Sequence, residues 1–263
     1  MENTDRSGKI KCMARVVSQE ALAEGIYSMW LYAKEIAGAA KPGQFISLYT
    51  KDPSRLLPRP ISICQVDKGA GRLRIVYRTV GAGTEEFARY CPGDQVAVMG
   101  PLGNGFPLEG DGKRRAFLIG GGIGIPPMLE LARVLKCEKQ MVLGYRDQLF
   151  LNEEFEEYGP VAVATEDGSA GTQGNVLDAI RKQGLTADVI YACGPMPMLR
   201  ALKAYALEQG MECWLSLEER MACGIGACLA CVCQSRDIDS HSQVHNKRIC
   251  KDGPVFAAQE VEL

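Results

Sequence analysis

Arg115-Ala116-Phe117-Leu118-Ile119-Gly120-Gly121-Gly122-Ile123-Gly124-Ile125-Pro126-Pro127 decides the architecture of this chain. Ala116 to Ile119 form a continuous apolar run, the composition of a strand covered on both faces. A glycine turn follows. The two prolines suit the first turn of a helix, and the amphipathic pattern behind them is expected to reach about Leu135. The alternation continues with strands at Met141-Val142-Leu143, Val161-Ala162-Val163-Ala164 and Asp188-Val189-Ile190-Tyr191. Helices are expected between and after them at residues 176–182 and 196–208. Alternating strands and helices predict a doubly wound parallel α/β sheet, whose ligands gather beyond the carboxyl ends of its strands.

Upstream the pattern differs. Ala14-Arg15-Val16-Val17, Tyr27-Ser28-Met29-Trp30-Leu31-Tyr32, Gln44-Phe45-Ile46-Ser47-Leu48-Tyr49 and Arg72-Leu73-Arg74-Ile75-Val76-Tyr77 have strand composition with partial alternation. Turn signals at Pro42-Gly43, Lys68-Gly69 and Pro92-Gly93 separate them, and one helix is expected at residues 84–90. Short strands at this spacing predict a small antiparallel β-barrel. From Trp214 onward the chain is rich in Cys, Gly and Ala and is expected to hold little regular structure. A segment of that size has too little apolar mass for a core and would need a metal staple. The expected organisation is therefore multidomain α+β, with a barrel over residues 1–105, the parallel sheet over 106–212 and a metal-bound segment over 213–263.

The chain has 263 residues, a net charge of −2 and a pI near 5.9, so it lacks the basic stripe that a nucleic-acid partner requires. Met1-Glu2-Asn3-Thr4-Asp5-Arg6 carries no export pattern, and no apolar run approaches the roughly 20 residues of a membrane span. A soluble, cytoplasmic protein is expected, with no membrane partner. Eleven cysteines in that setting imply reduced thiols and a metal site rather than a disulfide framework.

Cys223-Gly224-Ile225-Gly226-Ala227-Cys228-Leu229-Ala230-Cys231 reads C-x4-C-x2-C, the spacing of plant-type [2Fe–2S] loops. Ala222, Gly224, Gly226, Ala227 and Ala230 let the backbone close on a cluster and aim N–H groups at its sulfides. Either Cys233 or Cys250 can supply the fourth thiolate. Cys250 is favoured, because Cys233 would have to fold straight back onto a site the loop already surrounds. Four thiolates also suit zinc, but structural zinc usually shows two knuckles of paired cysteines. His241 and His245 read as exposed loop residues rather than ligands.

Other loops suit phosphates and rings. Arg59 opens a strand and offers a bidentate fork, and Ser62, beyond Pro60 and Ile61, can place a hydroxyl at a flavin ring nitrogen. Val76, Tyr77 and Arg78 end a strand, and Gly81-Ala82-Gly83-Thr84 opens a helix suited to a pyrophosphate. Each pattern alone also fits a plain edge strand or turn. The stretch from Gly120 to Gly124 departs from G-x-G-x-x-G, so it is not a standard dinucleotide fingerprint. Cys193-Gly194-Pro195 follows the last expected strand at the same sheet edge, where Cys193 either faces a nicotinamide ring or is one more buried cysteine. Thr165-Glu166-Asp167-Gly168 either touches its ribose or only turns.

In this order the motifs resemble the ferredoxin reductase superfamily. Glu218-Glu219-Arg220-Met221-Ala222 leading into the cysteine loop, with Cys250-Lys251-Asp252-Gly253-Pro254-Val255-Phe256 after it, is similar to the electron-transfer subunits of NAD-dependent class 1B dihydroorotate dehydrogenases. The resemblance spans nearly the whole chain. It implies FAD at Arg59, Pro60, Ile61, Ser62, Val76, Tyr77, Arg78, Gly83 and Thr84, and NAD at Gly121, Gly122, Gly124, Gly194 and Pro195. It implies a [2Fe–2S] cluster on Cys223, Cys228, Cys231 and Cys250, with Ser62 and Cys193 acting in hydride exchange. It further implies an FMN-containing catalytic subunit as partner, in a heterotetramer of two of each. Cys233 is an additional cysteine that the family pattern does not require. NAD is the nicotinamide implied, although Arg146 offers a cation for a 2′-phosphate. Related flavin and [2Fe–2S] subunits of transhydrogenase or sulfhydrogenase type, and stand-alone ferredoxin reductases, share the motifs and stay open as alternatives.

Overall fold

The computed structural model of the chain describes residues 9–108, 114–238 and 243–263. The N-terminal reading and His241 lie outside them. Six strands close a barrel: β1 (Ile10–Ala23), β2 (Ile26–Tyr32), β3 (Phe45–Tyr49), β4 (Arg59–Asp67), β5 (Arg72–Arg78) and β6 (Gln95–Leu102). Their spatial order is β1-β2-β5-β4-β3-β6, and β6 returns to β1 with Arg15 opposite Gln95. Alternation produces the wall. In β6 Val96, Val98 and Gly100 turn inward while their neighbours are more exposed, and Leu102 is buried against the sheet and the C-terminal segment. Two short helices, α1 (Lys34–Ala39) and α2 (Ala82–Phe87), interrupt the meander; α2 falls at the helix expected around residue 84, but ends earlier.

The second unit follows the alternation read from the sequence. Strand β7 (Arg115–Gly121) runs into a 3₁₀ turn, Gly122–Gly124, and helix α3 (Pro126–Val134). Then come β8 (Glu138–Tyr145), α4 (Asn152–Glu156), β9 (Val161–Thr165), β10 (Thr172–Gln173), α5 (Val176–Gln183), β11 (Val189–Cys193) and α6 (Met196–Gln209). Asn175 caps α5 by accepting from the Leu177 and Asp178 N–H groups, and Gly184 ends it at φ +61°.

The C-terminal segment holds more structure than its composition suggests. Strand β12 (Glu212–Ser216) pairs in parallel with β11 and spans positions 212 and 213. Strands β13 (Val232–Gln234) and β14 (Asn246–Arg248) form a small ribbon, and β15 (Val255–Ala257) adds antiparallel to β12. The sheet order is β10-β9-β8-β7-β11-β12-β15. The segment shares a core rather than making one: Leu215, Ile249, Cys250 and Phe256 pack with Ile119 and Ala192 of the sheet. Burying those side chains against an existing layer supplies the apolar contact that so short a segment lacks. The barrel joins in the same way, with Ile26, Cys64 and Val76 packed on Leu118, Ile125 and Met128. Among the described residues, no helix is long and apolar enough to cross a membrane.

Candidate functional site

The barrel brings the two flavin motifs to one end. Ile63 of β4 pairs with Ile75 of β5, so the start of β4, with Arg59, Pro60, Ile61 and Ser62, lies alongside the end of β5, with Val76, Tyr77 and Arg78. The Arg59 guanidinium lies over Gly83: a Cβ there would stand 2.3 Å from Nε and 2.7 Å from Cζ. Arg59 also donates to the Leu57 carbonyl. This notch, with an arginine fork above glycine main chain, fits a phosphate. Leu56, Leu57 and Val80 stand exposed around it, as apolar side chains do where a ring system will cover them.

Three residues have other tasks. Val76 and Tyr77 are 2% and 1% exposed, so they can offer a cofactor only main chain. The Tyr77 hydroxyl donates to Gln19 Oε1 at 2.9 Å. The Thr84 hydroxyl accepts the Val80 N–H at 2.9 Å and donates to the Gly81 carbonyl at 2.9 Å, which shapes the turn entering α2.

At the sheet edge, Gly120 pairs with Cys193, and Cys193 with Ser216. The glycine turn touches the next loop directly: a Cβ on Gly124 would lie 2.4 Å from the Cys193 carbonyl oxygen, and one on Gly121 2.6 Å from Met198 Sδ. Gly194 and Pro195 complete the loop beside Gly121. This close backbone approach leaves a cradle at the carboxyl ends of β7 and β11, the place where a dinucleotide meets such a sheet. Arg78 and Gly122 line one cleft of about 150 Å³ with Arg146, so the barrel and sheet motifs face the same space. Thr165 Oγ1 donates to the Ala170 carbonyl, and Asp167 binds Ser169; that segment makes a turn.

Burial pushes the Cys193 thiol up to about 12, against a lowering hydrogen bond with Ser216 and with Glu218 adding in the same upward direction. An ordinary thiol titrates near pH 8.5, so Cys193 stays protonated throughout the neutral range. The hydride-exchange rate is therefore expected to show no Cys193 inflection between about pH 6 and 9. A break in the parent profile that Cys193→Ala abolishes would contradict this. Ser216, unremarkable in the sequence, is the residue that orients this thiol.

The cysteine loop packs against the barrel. A Cβ on Gly224 would meet Ser47 Oγ at 3.1 Å, and Ser47 pairs with Pro60 across β3 and β4. Lys9 Nζ donates to the Ile225 carbonyl at 3.3 Å. Cys223 Sγ accepts N–H groups from Ile225 at 3.4 Å and Ala227 at 3.3 Å. Burial raises the Cys223 thiol, but these N–H groups and the contacts with Cys228 outweigh it and bring the group down to about 6. The Cys250 N–H donates to Cys231 Sγ at 3.4 Å; burial and then the Cys231 thiol push Cys250 up to about 12. The thiols thus meet as two pairs, Cys223 with Cys228 and Cys231 with Cys250. Among the described residues no three His, Cys, Asp or Glu side chains converge as a single ion would need. Two pairs suit two irons, so the donor set fits a binuclear cluster.

Cys233 packs against the same core but has a different partner. Its thiol donates to the Lys247 carbonyl at 3.6 Å across β13 and β14. His245 is exposed, with Nδ1 2.8 Å from the Arg236 carbonyl. Arg248, 5% exposed, braces the ligand turn: it donates to Asp252 at 3.0 Å and to the Gly226 carbonyl at 3.3 Å. Asn104, from the barrel exit, donates to the Val255 carbonyl at 2.7 Å and accepts its N–H at 2.9 Å.

Comparison with known proteins agrees with this geometry. Residues 218–262 match the iron–sulfur cluster binding domain of dihydroorotate dehydrogenase B, and residues 118–204 match the oxidoreductase NAD-binding domain. The chain is 46% identical over 255 residues to the dihydroorotate dehydrogenase B (NAD(+)) electron transfer subunit of Geobacillus thermodenitrificans strain NG80-2, covering 94% of this chain and 97% of that one. It is 44% identical to the Listeria monocytogenes protein of the same name, covering 95% and 98%. Among solved structures, a chain described under "Insights into flavin-based electron bifurcation via the NADH-dependent reduced ferredoxin-NADP oxidoreductase structure" superposes with a TM-score of 0.85 at 30% identity, covering 95% and 90%. The ferredoxin reductase in carbazole 1,9a-dioxygenase shares the fold, with a TM-score of 0.66 at 22% identity over 77% and 67%. By its sequence over almost its full length, its barrel-and-sheet fold and its cysteine segment, the chain belongs to the family of dihydroorotate dehydrogenase B (NAD(+)) electron transfer subunits.

Proposed function

We propose that the chain passes electrons between NAD and an FMN-containing dihydroorotate-oxidising subunit, through FAD at the barrel end and a [2Fe–2S] cluster on Cys223, Cys228, Cys231 and Cys250. FAD, when bound, accepts two electrons as hydride and releases them singly, which a nicotinamide and an iron–sulfur cluster cannot do for each other. The observation that carries the reading is the seat of the cluster loop on Ser47, opposite Pro60 in the flavin strand. Arg59 and Gly83 hold the pyrophosphate, Ser62 faces the ring, and Gly121, Gly122, Gly124, Gly194 and Pro195 cradle the dinucleotide with Cys193 against its nicotinamide. Three modules divide this work over residues 1–105, 106–212 and 213–263, in the cytoplasm. Cys228 lies exposed among Ile225, Leu229 and Val232, an apolar rim that supports docking of the partner at the cluster, two copies of each chain in the complex.

Copurification with the partner tests this directly. Dihydroorotate-dependent reduction of NAD⁺ by the complex, with one FAD-type flavin and cluster absorption in this chain, is the expected result. Flavin without iron would overturn it. A second reading rests on the 30%-identical bifurcating relative and on Arg146 in the cofactor cleft: a subunit serving a different partner with NADP. Preference for NADP⁺ over NAD⁺ by the purified complex would favour it.

The Gly83 notch yields a separate prediction. The atoms that a Cβ would strike belong to the far end of Arg59, which can swing aside. Gly83→Ala is therefore expected to cost less than about 1 kcal/mol of stability, but to weaken FAD retention by about 10-fold or more through loss of the charged hydrogen bonds. Flavin release on dilution measures it. Retention equal to that of the parent would show that Arg59 does not hold the phosphate.

A further inference from the structure

We propose that Glu130 and Arg74 are positioning residues: Glu130, paired with Arg133, through hydrogen bonds to Val66, and Arg74 through its ion pair with Glu154, lock the flavin hairpin to the nucleotide sheet at the spacing hydride exchange needs. This inference rests on the two cofactor sites proposed above.

Glu130 is a carboxylate only 2% exposed, on the helix that starts directly after the Gly122–Gly124 turn. Its Oε2 accepts the Val66 N–H of β4 at 3.1 Å and Arg133 Nε at 3.0 Å, and its Oε1 accepts Arg133 Nη2 at 2.5 Å. Arg133 Nη2 also donates to the Val66 carbonyl at 3.2 Å. The β3 ladder along β4 ends at Ser62, so at Val66 the Glu130–Arg133 pair takes the place of the missing strand. One residue further back on the same hairpin, Arg74 of β5 forms a second clasp. It is 5% exposed and donates to Ser28 Oγ at 2.9 Å, Gln65 Oε1 at 2.9 Å and Glu154 Oε2 of α4 at 2.5 Å.

These contacts differ in kind from the apolar packing around them. Ile26, Cys64 and Val76 adhere to the sheet without direction, so they would tolerate a slide. Hydrogen bonds to both main-chain groups of one strand residue do not. The helix so fixed begins at the nicotinamide turn, and the hairpin so fixed carries Arg59, Ser62 and Arg78 at its other end. In NADH + FAD → NAD⁺ + FADH⁻ a nicotinamide C–H bond breaks and a flavin N–H bond forms, with both electrons moving with the hydrogen. That transfer needs its atoms about 3–3.5 Å apart, and a 1 Å error can cost about 100-fold.

The test is single-turnover bleaching of flavin by NADH in the holoprotein with its catalytic partner. Glu130→Ala, which removes both contacts to Val66 and Arg133, is expected to slow bleaching by about 10- to 100-fold. Glu130→Gln keeps an acceptor for Val66 and should stay within about threefold, and Glu154→Gln should slow bleaching by about three- to tenfold. Bound FAD and electron passage from reduced flavin to the cluster should match the parent in all three. Bleaching in Glu130→Ala and Glu154→Gln as fast as in the parent would overturn the proposal, as would losses that merely track lost FAD. If Glu130→Ala does not fold, the solvent-side Glu154→Gln decides alone. A parent flavin that NADH does not bleach would overturn the cofactor reading itself, a result distinct from unslowed variants of a working parent.

Discussion

Cys250→Ser is expected to strip the iron–sulfur absorption from the purified protein and lower its iron content by about tenfold or more, with FAD retained; Cys233→Ser should leave both unchanged. Cys250 meets Cys231, whereas the Cys233 thiol, packed against the same core, donates to the Lys247 carbonyl across the ribbon. Cys250 is also 1% exposed and packs in the shared core with Ile249 and Phe256, so a serine hydroxyl there costs about 1–3 kcal/mol for an unmet polar group. Cys250→Ala avoids that hydroxyl and separates ligand loss from polar burial. Both Cys250 variants should lose the cluster, and with it the metal's contribution to holding the segment down. Iron analysis and EPR after dithionite reduction read the result. A full cluster in Cys250→Ala, or its loss in Cys233→Ser, would transfer the fourth ligand to Cys233.

What could be read from the sequence follows the range of each signal. The loop from Cys223 to Cys231 is legible because cluster chemistry constrains neighbours a few residues apart. The glycine turn between β7 and α3 is legible for the same reason. Contacts that depend on strand register are not. That Ser216 orients Cys193 appears only once β12 lies beside β11, and that Gly83 leaves space for Arg59 appears only once the barrel closes. Val76 and Tyr77 read as flavin contacts because their strand ends at the site. Both side chains are buried instead, since one face of β5 lines the barrel interior and the other meets the nucleotide sheet. Taken alone, the apolar residues of the C-terminal segment are too few for a core, which points to metal; in the fold β12 and β15 borrow a layer from the sheet. Glu130 gave no signal at all. A glutamate on an amphipathic helix reads as solvated, and only the barrel beside α3 buries it.

Gly124→Ala is expected to slow flavin reduction by NADH about 100-fold while leaving FAD and cluster spectra in place. Gly124 is buried, and the atoms its Cβ would meet are the Cys193 carbonyl oxygen at 2.4 Å, the Cys193 carbonyl carbon at 2.5 Å and the Gly194 Cα at 2.6 Å. All three are main chain at the end of β11, so no side chain can rotate away as Arg59 can from Gly83. The turn and the Cys193 loop must part instead, at a cost of about 1–3 kcal/mol. That displacement falls on the thiol proposed to face the nicotinamide. Gly122 is the control from the same turn: at φ +53°, a Cβ there meets nothing within 4 Å. Gly122→Ala should cost about 1–2 kcal/mol in backbone strain, with a much smaller effect on the rate. The order of the two variants is therefore the measurement. Stopped-flow reduction with NADH, compared with dithionite reduction of the same samples, separates loss of the nicotinamide cradle from loss of the flavin. Gly122→Ala slower than Gly124→Ala would mean that backbone conformation, and not the contact between the two loops, governs hydride entry.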